Sequence, residues 1–216
     1  MDRGTAIIVG LCAFLGLWYG IGHLYNRRRG QRLFRWIETG LAVLGSERQA
    51  GWIGSPASGA RINILHANRP FRRLEITLLL ARREVPLLLL IDHLRGKRDG
   101  LIIKGTLRSP QRGEIEVGPV KSRVLYPSTD TPTLRQESSW TLETGPHRLT
   151  VAHRGPGTQQ QLAQLWPWLE VYGAHLYRFS WQKHDPHIQL QMNASALLAT
   201  PSEAFLADLQ VALGKP

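Results

Sequence analysis

The chain has 216 residues, 43% of them hydrophobic, with 27 Lys and Arg against 16 Asp and Glu for a net charge of +11. That is enough apolar material for one sizeable core or two small ones, on a surface that attracts polyanions. The single cysteine, Cys12, lies in an apolar segment, which excludes intrachain disulfides, Cys-based zinc sites and a soluble thiol nucleophile.

Residues 1–4 read as a short extracytoplasmic amino terminus and 5–25 as a transmembrane helix. Between Gly4 and Asn26 there is no Asp, Glu, Lys or Arg. About 20 apolar residues at helical rise match a hydrocarbon layer of about 30 Å. Trp18, Tyr19 and Tyr25 gather toward the far end, where amphipathic rings prefer the headgroup level. Arg27, Arg28, Arg29, Arg32 and Arg35 follow at once. The positive-inside rule therefore predicts a single-pass cell-membrane protein, amino terminus outside and carboxy-terminal domain in the cytoplasm. A cleaved signal peptide is the rival reading. It requires a basic start and a small-residue exit, whereas this run opens nearly neutral and ends in arginines. Gly16 and Gly20 form a GxxxG that offers a helix-contact stripe.

Residues 26–45 read as a basic juxtamembrane amphipathic helix, with Leu33, Phe34, Ile37, Leu41 and Leu44 at helical spacing. Such a helix either lies on the bilayer or packs on the soluble core. Residues 46–60 follow as a Gly/Ser-rich connection. A cytoplasmic α+β domain then occupies 61–216. Strands are predicted at Ile62–His66, through Leu74, Ile76, Leu78 and Leu80, at Leu101–Arg108 and at Ile115–Val117. Between them Pro86 opens and Gly96 closes a leucine-rich helix.

In the second half the expected register sets Leu142 against Leu149, Trp140 against Val151, Glu143 against Arg148 and Thr141 against Thr150. Gly145-Pro146 would form the turn. A helix from Thr158 should stop at Pro167. A clearer hairpin surrounds Lys183-His184-Asp185-Pro186. It pairs Trp181 with Ile188, Phe179 with Leu190 and Tyr177 with Met192, while Gln182, Ser180 and Arg178 meet His187, Gln189 and Gln191 on the wet face. Thr200-Pro201-Ser202-Glu203 reads as a capping box before a last helix. Residues 61–125 and 138–216 share the order strand, strand, helix, strand, strand, so the expected fold is antiparallel sheet with helices on one face, built as a duplicated unit.

Chemistry is sparse. There is no GxSxG, no phosphate-binding loop, no dinucleotide fingerprint and no HExxH. His184, Asp185 and His187 are the best local metal-ligand candidates, but Asp-Pro is ordinary turn chemistry. Arg178, Gln189, Gln191 and Asn193 make a polar sheet face that is either a binding surface or simply solvated. The basic excess lies in residues 27–125, which hold 20 Lys/Arg and 8 Asp/Glu for a net of +12. The expectation is a membrane-anchored, non-enzymatic accessory, scaffold or assembly subunit without cofactor. Its partners would be anionic headgroups and other proteins of a membrane complex. The alternatives are a tethered nucleic-acid binder using Arg72, Arg73, Arg82, Arg83, Arg95, Lys97 and Arg98, and a metal-dependent enzyme.

Overall fold

Alternating apolar residues decide the sheet. The computed structural model describes residues 2–94, 96, 98–109, 113–119, 139–144 and 147–214. After a long helix α1 (Arg3–Leu44) come β1 (Arg48–Trp52), β2 (Gly59–Ile64), β3 (Phe71–Leu79), α2 (Pro86–Leu94), β4 (Gly100–Leu107) and β5 (Glu114–Pro119). The second half carries β6 (Ser139–Thr144), β7 (His147–Arg154), α3 (Thr158–Tyr172), β8 (Leu176–Trp181), β9 (Ile188–Asn193), α4 (Ala194–Leu197) and α5 (Ser202–Gly214). The nine strands form one antiparallel sheet in the order β1-β2-β3-β4-β9-β8-β5-β7-β6.

One row of partners crosses it: Ile62, Ile76, Ile103, Leu190, Phe179, Val117 and Val151 stand opposite one another in turn, all buried. The adjacent row, facing the other way, reads Asn63, Glu75, Lys104, Gln189, Ser180 and Glu116. Period-2 alternation thus separates an apolar from a polar face across most of the sheet. Leu33, Ile37, Leu41 and Leu44 of α1, Leu162, Leu165 and Leu169 of α3, and Phe205, Leu206 and Leu209 of α5 join the apolar face in one core. Each such side chain contributes about 1.5–3 kcal/mol on full burial.

Several expectations are corrected here. The apolar run of residues 5–25 and the helix expected at 26–45 are one unbroken helix, and Asn26 at their polar junction is buried and satisfied. Its amide donates to the Ala81 carbonyl at 2.8 Å and its oxygen accepts from Arg83 at 3.0 Å. Of the two placements expected for the second half of α1, packing on the core is the one found, and it also packs on α5. A strand, β1, occupies part of the expected connection. Its five residues are all exposed, so it carries no alternation to read.

Helix α3 continues through Pro167 to Tyr172, since Trp168, Leu169 and Tyr172 are all buried beyond it. That burial outweighs the lost hydrogen bond at the proline. The β6–β7 register matches all four expected pairs, while Gly145-Pro146 lies outside the described residues. In the β8–β9 hairpin a bulge at Tyr177 puts Leu176 opposite Met192, so Leu176 replaces Tyr177 in the core. The proposed duplication does not extend to the pairing: β3 neighbours β4, whereas β7 neighbours β5 and β6 and not β8.

Candidate functional site

A dense polar constellation lies where α1 meets the loop after β3. Asp99, just before β4, is 0% exposed and its carboxylate accepts five hydrogen bonds. Oδ1 takes Arg83 Nη1 at 2.7 Å and the Ala81 N–H at 3.0 Å. Oδ2 takes the Ser195 hydroxyl at 2.8 Å, Arg83 Nη2 at 3.1 Å and Arg29 Nε at 3.3 Å. Burial pushes this carboxyl up, but the Arg83 guanidinium, the Ala81 amide and the Ser195 hydroxyl outweigh it and hold its pKa below the ordinary carboxylate value. The bidentate Arg83 fork supplies both charge and geometry.

The same loop climbs α1 toward its amino terminus. Trp18 Nε1 donates to the Arg83 carbonyl at 3.1 Å, and His23 Nδ1 meets Glu84 Oε1 at 3.1 Å. The Arg83 guanidinium also sits 5.4 Å from the centroid of the Tyr25 ring. Two glycines permit the approach. A Cβ on Gly22 would lie 2.6 Å from the Arg83 carbonyl oxygen, and one on Gly30 would lie 2.0 Å from that of Pro56.

Of the five arginines expected at a membrane interface, Arg27, Arg28, Arg32 and Arg35 are exposed, whereas Arg29 turns inward to Asp99. Gly16 and Gly20 are open, and a methyl group added at either would meet nothing within 4 Å. Nothing in the sequence singles out Asp99. It stands in a Lys-Arg-Asp-Gly run that resembles a turn, and only the fold brings Arg29, Arg83 and Ser195 to it.

The polar face differs from simple solvated sheet. Arg178 is 4% exposed and Gln191 1%, with Gln189 and Ser180 buried as well. Arg178 Nη2 reaches Glu116 Oε1 at 2.8 Å, an ion pair within the face. Asn193 caps α4 by accepting from the Ser195 N–H at 3.1 Å. Two of the three turn candidates are spoken for: Asp185 accepts from the Thr106 hydroxyl, and His187 Nδ1 accepts from the Leu107 N–H at 3.0 Å, while His184 is exposed. No group of three or more His, Cys, Asp or Glu able to hold a metal occurs among the described residues.

No protein-family model matches this chain, and no curated protein is significantly similar to it.

Among the basic residues expected to meet a polyanion, Arg72 and Arg73 are exposed. Arg83 is committed to Asp99, and Arg82 forks onto Asp92 at 3.1 and 3.2 Å. Arg95 and Lys97 lie outside the described residues. Elsewhere Tyr172 donates to Asp208 at 2.8 Å, and burial together with that carboxylate pushes its phenol up to about 12. Asp99, Asp92 and Arg178 thus each face a group of opposite charge.

Proposed function

We propose that this protein is a single-pass, membrane-anchored accessory or scaffold subunit without catalytic chemistry of its own. Its amino terminus lies outside, and its α+β domain is held in the cytoplasm against the inner leaflet. The observation that carries this reading is the division of α1. The helix is long and apolar enough to cross a membrane, and none of its most apolar window is buried, yet its other end is built into the core. A core helix of a soluble protein would bury that window. A removable leader would not supply Trp18, Gly22, His23 and Asn26 as contacts for the folded domain.

The exposed Arg27, Arg28, Arg32 and Arg35 support the cytoplasmic placement and an anionic surface as neighbour. An accessory role, rather than an enzymatic one, is supported by the engagement of Asp99, Asp92, Arg178 and His187 in fixed internal pairs. The test combines alkaline-carbonate extraction with mass determination and protease accessibility of a carboxy-terminal tag in intact cells. Retention in the membrane, an uncleaved chain and a protected tag are expected. A mature product beginning past Tyr25, or a tag digested from outside, would overturn the reading.

A further inference from the structure

Helix α2 is built inside out. Its sequence is Pro86-Leu87-Leu88-Leu89-Leu90-Ile91-Asp92-His93-Leu94, and the one buried residue among these nine is the aspartate. Asp92 turns inward to the Arg82 fork, while Leu87, Leu90 and Leu94 are 65%, 55% and 77% exposed. Positions 87, 90 and 94 follow i, i+3, i+7 spacing and form one stripe. A surface helix in water places its apolar stripe on the core and its carboxylates outside. Scattered exposed leucines need no explanation, but a continuous stripe on a reversed helix does.

Its position says what covers the stripe. The chain enters α2 directly from Arg83 and Glu84, which touch α1 at Trp18, Gly22 and His23. Those contacts lie within the apolar run, on the amino-terminal side of Arg27. From Trp18 to Arg27 the helix rises roughly 13 Å, more than the roughly 5–8 Å depth of one headgroup layer. The edge of the domain that carries α2 is therefore at or below the headgroup level wherever Arg27 and Arg28 remain in water.

We propose that α2 is a second membrane contact: a short interfacial helix that sets Leu87, Leu90 and Leu94 into the headgroup–acyl boundary beside α1, with lipid as its occupant. The inference rests on the reading of α1 as a membrane span. The protein would then hold its leaflet at two points, and the Asp99 cluster would fix the spacing between them.

The full chain reconstituted into mixed phosphatidylcholine–phosphatidylglycerol vesicles tests this. An environment-sensitive dye is attached in turn to native Cys12, to Leu90→Cys and to Gln159→Cys, the latter two in a Cys12→Ala background. Gln159 is exposed and follows β7, five strands from β3, so it stands roughly 24 Å across the sheet. Nitroxide-bearing lipids should quench the dyes at positions 12 and 90 at least about threefold more than the dye at 159. Quenching at 12 with a fully hydrated dye at 90 overturns the second contact and leaves the span intact. A dye at 90 shielded from iodide yet beyond reach of the lipid nitroxides means that a second copy covers the stripe, and also overturns it. Failure to quench at Cys12 removes the span and this inference together.

Discussion

Replacing Asp99 with asparagine keeps the shape of the side chain and removes its charge. Arg83 and Arg29, whose side chains are 23% and 21% exposed, would then share a site with no counter-ion, and an amide N–H would face donors in place of one oxygen. Removing one partner of a buried pair costs about 3–5 kcal/mol. Partial exposure lets water recover some of the guanidinium solvation, so Asp99→Asn is expected near the lower end, about 3 kcal/mol, or roughly a hundredfold in the folding equilibrium. Urea titration of the full chain in mild detergent, followed by tryptophan fluorescence, reads the shift in midpoint at unchanged slope.

The pH dependence gives a second, independent reading. Because the folded-state pKa of Asp99 lies below the ordinary 3.8, its contribution is complete above that value and is lost as pH falls through the lowered one. The wild-type and Asp99→Asn curves should therefore differ at neutral pH and converge in acid. A loss under about 1 kcal/mol, or a gap that persists unchanged in strong acid, would refute the argument that this carboxylate fastens α1 to the domain.

Gly30→Ala should cost about 1–3 kcal/mol, since its methyl group meets the rigid Pro56 carbonyl, whereas Gly20→Ala should leave the fold unaltered; thermal melts of the two variants check the contrast. Glu116→Ala strands Arg178 in the polar face and should destabilise by about 3 kcal/mol, while Lys183→Ala, outside that pair, serves as the neutral control in the same urea assay. The raised Tyr172 phenol predicts a tyrosinate absorbance step near pH 12 that Tyr172→Phe removes. Its stabilising contribution is present below the ordinary value of 10.0 and lost as pH rises through the folded one. Titrating zinc into the purified chain should leave its melting temperature unchanged, because His187 Nδ1 already accepts the Leu107 N–H and Asp185 the Thr106 hydroxyl.

Local patterns with one clear solution are legible in the sequence. In β8 and β9 the apolar residues alternate on both sides of a Pro-containing turn, and a slipped register would bury glutamines against Phe179 and Trp181. Pro86 and Gly96 likewise bracket α2. Patterns whose outcome depends on distant partners mislead. Whether residues 26–45 pack on the core stays open until Ala81, Arg83 and Pro56 are brought alongside Asn26 and Gly30. Pro167 stops a helix in isolation, and the burial of Trp168 and Tyr172 carries α3 past it. Alternation tells that Arg178, Gln189 and Gln191 share a face, but not that the face is buried. Asp99 is invisible because its three side-chain partners come from α1, the β3–α2 loop and α4.

A helix of 42 residues extends roughly 63 Å, and α1 has no joint where its oily and packed portions meet. Any roll or lean imposed on the end nearest its start must be shared by α5, by the turn before it and by the loop after β3, which Thr39, Trp36 and Asn26 clamp to α1. The folded body then behaves as the head of a lever rather than a weight on a string, and its compass bearing is inherited from the mast on which it is mounted.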